Sequence, residues 1–226
     1  MSSETKPRAL VLHSGGLDST ECLLLARAHG RVPMSLGLNY GQRHHVELEF
    51  AQRQCARFDI PRRVIDVNWD RPAMAIPRDR TMAEMKSGIA PTFVPGRNAV
   101  FLALACAEAA GAGATEVWLG VNAVDYSGYP DCRESFLGAF RAMWAEAVPG
   151  GPRIVAPLVS LTKPEIAAHA RALGLAPGET WSCYAPEQRG AGEPIPCGHC
   201  DACLLHTHAW AEADRTRLIA PAIAPL

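Results

Sequence analysis

A glycine pair at the end of a short apolar run constrains the fold of this chain more than any other feature. Residues 8–13 read Arg-Ala-Leu-Val-Leu-His, and residues 14–20 read Ser-Gly-Gly-Leu-Asp-Ser-Thr. Over residues 17–29 leucines and alanines recur at helical spacing, so the pattern predicts a strand, a glycine turn and a helix. Backbone N–H groups at the start of such a helix converge on one point, which predicts a site for an anion.

The residue types in this turn suit contact with a phosphate. The two glycines let the backbone approach phosphate oxygens because they carry no Cβ. The hydroxyls of Ser14, Ser19 and Thr20 add hydrogen-bond donors, and Asp18 either caps the helix or holds magnesium. A bare Ser-Gly-Gly also occurs as a plain structural turn, so the prediction depends on the full string.

The rest of the chain alternates strand and helix patterns. Apolar runs predict strands over residues 32–38, 63–67, 116–120 and 154–155, and helical spacing predicts helices over residues 45–58, 98–110, 134–148 and 164–173. This alternation predicts an α/β fold with a parallel sheet. Residues 69–96 carry several prolines and few periodic apolar positions, so we expect a long irregular segment over one face.

Composition excludes several classes of partner. The chain has 226 residues, 48% of them apolar, with 22 basic against 23 acidic side chains. These values are typical of a globular protein with one sizeable core, and they give no basic surface for a nucleic acid or a membrane. The apolar runs are far shorter than the roughly 20 residues of a membrane span, and the first residues do not form a signal peptide. We therefore expect a cytoplasmic protein.

Seven of the eight cysteines fall into two groups. Cys22, Cys55 and Cys106 lie singly in apolar helical patterns and are interpreted as small buried hydrophobic residues. Four others crowd near the C-terminus with metal-ligand spacing: Cys183, Cys197, Cys200 and Cys203. Four thiolates leave no open coordination position, so the pattern predicts a structural zinc ion. An iron–sulfur cluster, or His199 in place of one cysteine, are the alternatives.

Residues 14–20 resemble the SGGxDS pyrophosphate loop of the N-type ATP pyrophosphatases, the superfamily of GMP synthetase, NAD synthetase and tRNA thiolation enzymes. Further strings narrow the resemblance; they lie at residues 39–44, 93–98, 125–133, 161–166, 180–184 and 197–203. In order and spacing they resemble the 7-cyano-7-deazaguanine synthase family of queuosine biosynthesis, from Leu10 to about Trp210.

The resemblance implies a Rossmann-like, adenine nucleotide α-hydrolase-like sheet flanked by helices, with a small C-terminal zinc-binding element. It implies a core over residues 1–175 and a zinc-knuckle and helix element over residues 176–226. The implied reaction converts 7-carboxy-7-deazaguanine, ammonia and ATP into the nitrile preQ0 through an adenylated acid and an adenylated amide. It implies ATP, Mg²⁺ and Zn²⁺ as cofactors, small molecules as partners and a homodimer as the assembly.

The resemblance also assigns roles to residues of this chain. Catalysis falls to Asp18, Ser19, Lys163 and Arg97. Nucleotide binding falls to His13, Ser14, Gly15, Gly16, Leu17, Asp18, Ser19, Thr20, Glu21, Cys22 and Leu23. Substrate binding falls to Tyr40, Gln42, Arg97, Asn98, Asp125, Tyr126, Tyr129, Asp131 and Arg133. Either Asp125 or Asp131 would accept hydrogen bonds from the guanine-like edge, and either Tyr126 or Tyr129 would stack on the ring.

Plainer interpretations of these residues remain open. Arg97 is alternatively a surface charge, Asn98 a helix cap and Lys163 a solvated lysine of a first helical turn. Cys132 is either a nucleophile or a structural cysteine, and we favour the structural role because adenylation already supplies a leaving group. One position departs from the family, since His206 stands where an arginine commonly follows the last cysteine by three residues.

Two other functions are compatible with the sequence. The first keeps the adenylation but stops at the amide, or transfers the acyl group to another amine. The second is a regulatory nucleotide-binding zinc protein without catalysis. The mass of the product tests the first, and exchange of pyrophosphate into ATP tests the second.

Overall fold

The computed structural model describes residues 6–41, 46–69, 76–85, 88–123, 128–188, 190, 192–221 and 223. Five strands form one parallel sheet in the order β3-β2-β1-β4-β5. The strands are β1 (Arg8–Leu12), β2 (Val32–Asn39), β3 (Arg62–Asp66), β4 (Glu116–Trp118) and β5 (Arg153–Val155). The helices are α1 (Leu17–Ala28), α2 (Val46–Phe58), α3 (Met82–Met85), α4 (Arg97–Gly111), α5 (Glu134–Ala147), α6 (Lys163–Ala172) and α7 (Asp201–Glu212).

The central strand β1 positions the turn of residues 14–20, which we call the phosphate turn. Leu10 lies opposite Met34 on β2 and opposite Val117 on β4. The N–H of His13 donates to the Leu36 carbonyl at 2.8 Å, so the sheet continues up to the turn itself. Because the strands are parallel, their carboxyl ends meet at one edge, and the turn after β1 lies in the middle of that edge.

Two apolar layers cover the sheet, as expected for a parallel sheet that is buried on both faces. On one face α1, α6 and α7 pack around Leu23, Ile166 and Trp210. On the other face α4 and α5 pack around Leu102 and Leu137. The predicted α/β class and parallel sheet are therefore confirmed.

The predicted strands differ from the observed strands by one or two residues. The third strand begins at Arg62 and ends at Asp66, and the fourth ends at Trp118 and not at residue 120. At Gly120 the chain passes the start of α1 so closely that a Cβ would lie 2.8 Å from the carbonyl carbon of Asp18. Gly120 therefore lies outside the strand, in close contact with the backbone of the phosphate turn.

The irregular segment after β3 has little regular structure where it is described. Within residues 69, 76–85 and 88–96 the only helix is the four-residue α3. Arg80 of this segment forms an ion pair with Asp201 at the start of α7, with 2.8 Å between Nη2 and Oδ2. The segment is thus held against the cysteine-rich element.

The last helix packs onto the core through α6, and Trp210 belongs to the same apolar cluster as α1. The division of the chain at residue 175 stays a prediction. Among the residues that the structure describes, no helix has both the length and the apolar character that crossing a membrane requires.

Candidate active site

The turn after β1 has a geometry that only glycine accommodates at its first glycine position. Gly15 has φ of 95°, and a Cβ there would lie 2.3 Å from the Glu47 carbonyl oxygen. Gly16 is the cap residue of α1, and its carbonyl accepts the Thr20 N–H at 3.0 Å and the Thr20 hydroxyl at 2.7 Å. The first amides of α1 are therefore directed toward the edge of the sheet, where an anion would meet them.

Two serines line this turn. The Ser19 hydroxyl donates to the Gly16 carbonyl at 3.1 Å, and its oxygen accepts the Ser14 N–H at 3.2 Å. The Ser14 and Ser19 hydroxyl oxygens lie 3.2 Å apart. Both side chains border the same cavity. The turn thus presents hydroxyls beside its backbone amides.

Asp18 accepts hydrogen bonds from residues that are distant in the sequence. It lies in the first turn of α1, and the cap position belongs to Gly16, so the alternative that Asp18 caps the helix is wrong. Lys163 Nζ donates to Asp18 Oδ2 at 2.5 Å, and Asn122 Nδ2 donates to the same oxygen at 3.3 Å. The pair is half-buried, which strengthens the attraction relative to a surface pair. Lys163 is therefore not a solvated lysine.

A cavity of ≈ 310 Å³ is lined by ten of the predicted site residues. Its lining includes Ser14, Asp18, Tyr40, Arg97, Tyr129 and Lys163. These come from the ends of β1 and β2, the starts of α1, α4 and α6, and the segment before α5. Its volume is within the range typical of small-molecule sites. The structure thus brings the phosphate turn together with four of the predicted substrate residues, Tyr40, Arg97, Asn98 and Tyr129.

Arg97 begins α4 and is half-buried in this cavity. Burial lowers the pKa of its guanidinium, but the nearby Tyr40, Tyr184 and Tyr129 raise it, and the net pKa lies above the usual value. Arg97 therefore stays a cation inside a partly apolar wall. A cation in this position suits an anionic substrate group.

The start of α4 is held by the residues before α5. The Asn98 N–H donates to Asp131 Oδ2 at 3.0 Å, and Asn98 Nδ2 donates to the Asp131 carbonyl and to Cys132 Sγ, each at 3.1 Å. Gly96 is the cap residue, so the alternative that Asn98 caps α4 is wrong. Asp131 is buried, and one of its two carboxylate oxygens is occupied by this structural contact. Its predicted substrate role would fall to the other oxygen.

The two predicted aromatic residues that the structure describes have partners within the protein. The Tyr40 ring packs edge-on against Phe101, with 5.0 Å between centroids. The Tyr129 hydroxyl lies 2.6 Å from the Thr92 hydroxyl oxygen, and its ring lies 6.3 Å from that of Phe93. Both rings border the cavity. Arg133 is exposed at the start of α5, outside the described lining of the cavity.

Seven residues of the predicted nucleotide set are buried: His13, Gly15, Leu17, Thr20, Glu21, Cys22 and Leu23. His13 borders the cavity, while Glu21, Cys22 and Leu23 lie inside the protein and outside the described lining. Burial and the charge of Arg62 lower the pKa of His13 to about 3, so its ring is neutral at pH 7. Burial and the charge of Asp18 raise the pKa of Glu21 to about 9, so its carboxyl is protonated at pH 7. Burial likewise raises the pKa of the Cys22 thiol.

The four C-terminal cysteines form one buried cluster. Their Sγ atoms all lie within 4.8 Å of one another, and those of Cys183 and Cys197 are 3.6 Å apart. Zn–S bonds of about 2.3 Å in a tetrahedron place sulfurs about 3.8 Å apart, so this sulfur set fits a zinc ion. Backbone N–H groups of Ala185 and Cys197 both donate to Cys183 Sγ at 3.3 Å, which favours a thiolate. His199 instead pairs with Asp79, at 2.9 Å between Nδ1 and Oδ1.

The cysteine cluster contacts the phosphate turn through its first segment. The Trp181 N–H donates to the Gly15 carbonyl at 3.0 Å. The Trp181 ring packs against Phe50 of α2 with 5.3 Å between centroids, and both belong to the apolar cluster around the four cysteines. The cysteine cluster therefore supports the phosphate turn through Trp181.

A family model described as "Queuosine biosynthesis protein QueC" matches residues 8–214. The chain belongs to the QueC family. Of this chain, 92% aligns at 52% identity with 98% of "7-cyano-7-deazaguanine synthase 2" from Rhodopseudomonas palustris strain HaA2. Similarly, 93% aligns at 43% identity with 96% of "7-cyano-7-deazaguanine synthase" from Myxococcus xanthus strain DK1622.

The fold of this QueC family chain also resembles a solved structure of another protein. NMN synthetase from Francisella tularensis superposes with a TM-score of 0.50 over 97% of this chain and 91% of that protein, at 13% identity. Identity this low establishes likeness of fold alone. The predicted nucleotide-hydrolase-like sheet is confirmed by this likeness together with the strand order.

Gln54 is a residue of the QueC family chain that the sequence analysis missed. It is buried on α2, where its Oε1 accepts from His13 Nε2 at 2.9 Å. Its Nε2 donates to the Gly15 carbonyl at 3.1 Å and to the Glu179 carbonyl at 2.5 Å. One amide thus joins the phosphate turn to the segment before the cysteines. No motif or spacing in the sequence marks this residue.

Three predicted substrate residues, Gln42, Asp125 and Tyr126, lie outside the described residues. The structure does describe His206, the position that departs from the family pattern. His206 lies on α7, and its ring faces the phosphate turn across a second, smaller cavity of ≈ 160 Å³. The sequence analysis did not assign a role to this residue.

Proposed function

We propose that the chain converts 7-carboxy-7-deazaguanine, ammonia and ATP into 7-cyano-7-deazaguanine, with release of AMP and pyrophosphate. Membership of the QueC family and the printed names of the two relatives support this function. The observation that carries it at the atomic level is the convergence of the α1 amides, Asp18, Lys163 and Arg97 on one cavity.

In the first step the substrate carboxylate attacks the α-phosphorus of ATP, and pyrophosphate leaves. The amides at the start of α1 and the Ser14 hydroxyl would hold the β- and γ-phosphates, and the Ser19 hydroxyl would join them by exchanging its bond to the Gly16 carbonyl for one to a phosphate oxygen. Lys163, at the start of α6, would stabilise the charge that develops on the α-phosphate. Arg97 would hold an anionic group of the acid or the nucleotide.

Ammonia then displaces AMP from the acyl adenylate and gives the amide. In a second activation the amide oxygen attacks the α-phosphorus of another ATP and displaces pyrophosphate. Loss of AMP and a proton from this adenylated amide then leaves the nitrile. The same cavity serves both activations, since acid and amide carry the reacting carbon at the same place on the ring. Preorganised charge and donors act on both transition states.

The deazaguanine would lie between the aromatic side chains of the cavity. Tyr40 and Tyr129 both border the cavity, and their rings are already fixed by packing. Rigid aromatic walls suit a flat heterocycle. Asp131 lies outside the described lining, but its Oδ1 is buried without a hydrogen-bond partner, so this oxygen is our candidate acceptor for the guanine-like edge among the described residues.

Two metal ions belong to this proposal. Asp18 would hold Mg²⁺ together with the phosphates of ATP, and Mg²⁺ would neutralise part of the phosphate charge. Cys183, Cys197, Cys200 and Cys203 would hold Zn²⁺, which has a structural role because sulfur fills every position. We also propose a homodimer, which light scattering of the purified protein would test.

The test is an incubation of the protein with the acid, ATP, Mg²⁺ and ammonium. We expect AMP and not ADP among the nucleotide products, and a deazapurine with the mass of the nitrile. A deazapurine with the mass of the amide would identify an enzyme that stops halfway. Formation of ADP, or no nucleotide turnover at all, would contradict the proposal.

A substitution at Asp18 separates catalysis from folding. Asp18→Ala removes the acceptor of Lys163 and the candidate magnesium ligand, so we expect AMP formation to fall at least a hundredfold. The bound zinc and the melting temperature should change little, because Asp18 does not contact the cysteine cluster. Loss of zinc in this variant would mean that the substitution had disturbed the fold.

A further inference from the structure

Arg62 and Arg63 are consecutive arginines at the start of the edge strand β3. Successive side chains of a strand point to opposite faces of the sheet. Arg63 is exposed and pairs with Glu108 of α4, at 2.7 Å between Nη1 and Oε2. Arg62 is half-buried and reaches across β2 to the end of β1, where its Nη1 donates to the His13 carbonyl at 3.1 Å. Arg62 therefore contacts the residue that precedes the phosphate turn.

The path of Arg62 across β2 passes over a glycine. A Cβ on Gly37 would collide with Arg62 Nη2 and would lie 3.0 Å from its Cζ. Glycine inside a strand costs stability because it has no side chain to pack, and a close contact of this kind explains its presence. Nη1 of the same guanidinium donates to Ser35 Oγ at 2.7 Å, and Glu47 of α2 adds an electrostatic attraction. The end of the Arg62 side chain is thus held at a defined place beside β2.

The hydrogen bond from Arg62 sets the direction of one peptide group of the turn. The His13 carbonyl and the Ser14 N–H belong to the same planar trans peptide, so they point in opposite directions. With the carbonyl bonded to Arg62, the Ser14 N–H is directed toward Ser19 Oγ, to which it donates at 3.2 Å. Ser19 borders the cavity of ≈ 310 Å³. Arg62 therefore orients an amide toward the place where the phosphates of ATP would lie.

The peptide between Gly15 and Gly16 is arranged in the same way. The Gly15 carbonyl accepts from Gln54 Nε2 at 3.1 Å and from the Trp181 N–H at 3.0 Å. The Gly16 N–H of that peptide points the other way and donates to Ser14 Oγ at 3.4 Å. The amides of Ser14 and Gly16 thus both lie against hydroxyls that line the cavity, and a phosphate oxygen would replace these hydroxyls as their acceptor.

A chain of hydrogen-bonded side chains joins the two peptides on their buried side. Gln54 Nε2 donates to two carbonyls, so Gln54 Oε1 is an acceptor and His13 Nε2 carries the hydrogen. His13 Nδ1 is then an acceptor, with Ser35 Oγ at 2.9 Å and Arg62 Nη1 at 3.4 Å. The low pKa of His13, about 3, agrees with a single hydrogen on the ring. Arg62 thus contacts the His13 carbonyl directly, and the chain of side chains connects it to the Gly15 carbonyl.

We propose that Arg62 is a positioning residue for the nucleotide, an inference that rests on the proposed function. Its bonds at the end of β1 keep alternate carbonyls of the phosphate turn on the buried side and alternate amides on the side of the cavity. Donors that are oriented before the ligand arrives need no reorganisation when it binds. Because the turn would hold the β- and γ-phosphates, the contribution of Arg62 belongs to the binding of pyrophosphate and not to that of AMP.

Calorimetry with pyrophosphate, ATP and AMP, each with Mg²⁺, tests this role without turnover. Arg62→Met removes the donors, so we expect the Kd for pyrophosphate and for ATP to rise about 10- to 100-fold, since hydrogen bonds from a charged group no longer orient the amides. The Kd for AMP, which has neither the β- nor the γ-phosphate, should stay within about twofold. An unchanged Kd for pyrophosphate, or an equal loss for AMP, overturns the proposal.

Gly37→Ala tests the same role with Arg62 still present. The added methyl group would occupy the place of Arg62 Nη2 and displace the guanidinium, so the Kd for pyrophosphate should rise as it does for Arg62→Met. This variant also decides the question if Arg62→Met does not fold. A Gly37→Ala protein that binds pyrophosphate as tightly as the unsubstituted protein contradicts the proposal.

Two matched controls separate this role from a general loss of stability. Arg63→Met changes the neighbouring, exposed arginine of β3, and Gly138→Ala adds a methyl group to α5 where the space around it is open. Both should leave every Kd unchanged. If the unsubstituted protein binds neither ATP nor pyrophosphate, the proposed function fails, and that result is distinct from a failure of the role of Arg62.

Discussion

At the scale of single residues, the site contains two buried ionisable groups that are neutral at pH 7. His13 is neutral because burial and Arg62 lower its pKa to about 3, and Glu21 because burial and Asp18 raise its pKa to about 9. Neither charge is then present behind the phosphate turn. The turn can bind a polyanion without a buried carboxylate opposing it.

Glu21 predicts a pH dependence of stability. Between pH 4.5, the usual pKa of the carboxyl, and about 9, its pKa in the fold, the folded chain binds one more proton than the unfolded chain. Stability therefore falls as the pH rises through this window, by up to about 1.4 kcal/mol per pH unit. In urea titrations, Glu21→Gln should remove roughly 4 kcal/mol of the difference between pH 5 and pH 8.

The control for this experiment is Glu146→Gln on the exposed side of α5. Its free energy of unfolding should follow that of the unsubstituted protein at every pH. Parallel curves for the Glu21 variant and the unsubstituted protein would mean that Glu21 is not the titrating group.

At the scale of elements, the phosphate turn is held in place by its neighbours. The Gly15 carbonyl accepts from Gln54 of α2 and from the Trp181 N–H of the segment before the cysteines. These two hydrogen bonds fix the Gly15 carbonyl away from the cavity. The first amides of α1 then remain directed into the cavity. The turn therefore depends on a helix and on a segment far away in the sequence.

Gln54→Ala tests this arrangement. The Gly15 carbonyl would lose one of its two donors, and the Glu179 carbonyl and the His13 Nε2–H would lose Gln54 as their partner. We expect the free energy of unfolding to fall by roughly 2–4 kcal/mol and the KM for ATP to rise about tenfold. Gln52→Ala, exposed on the same helix, is the control. An unchanged KM for ATP would show that the turn holds its shape without Gln54.

At the scale of the whole molecule, the cluster of four cysteines and the phosphate turn are joined through Trp181. Phe50 of α2 packs on Trp181, and Arg80 pairs with Asp201 next to Cys200. The cysteine cluster thus holds together α2, the segment after β3 and α7. Disruption of the cysteine cluster would therefore displace Trp181, and the loss of its hydrogen bond to Gly15 would disturb the phosphate turn.

Cys200→Ser is the variant that tests this connection. We expect loss of bound zinc, a melting temperature lower by several degrees and weaker ATP binding, because the apo cluster no longer fixes Trp181 against Gly15. Zinc is measured with a chromogenic chelator and ATP binding by calorimetry. Cys106→Ala, at a buried position of α4, should lower stability but retain zinc. Normal ATP affinity in the zinc-free protein would refute the coupling.

The order of strands and helices, the glycine turn before the first helix and the grouping of the four cysteines were predicted from the sequence alone. Each depends mainly on short-range patterns, since a helix or strand face repeats every few residues and two residues separate Cys197 from Cys200 and Cys200 from Cys203. Only the tertiary structure brings Lys163 onto Asp18, 145 residues away, and Gln54 onto the Gly15 carbonyl. The tertiary structure likewise shows that Asp131 accepts a hydrogen bond from the Asn98 N–H and that Ser182 lies beside His206. Such contacts depend on how the layers pack around the sheet, and no local spacing encodes them.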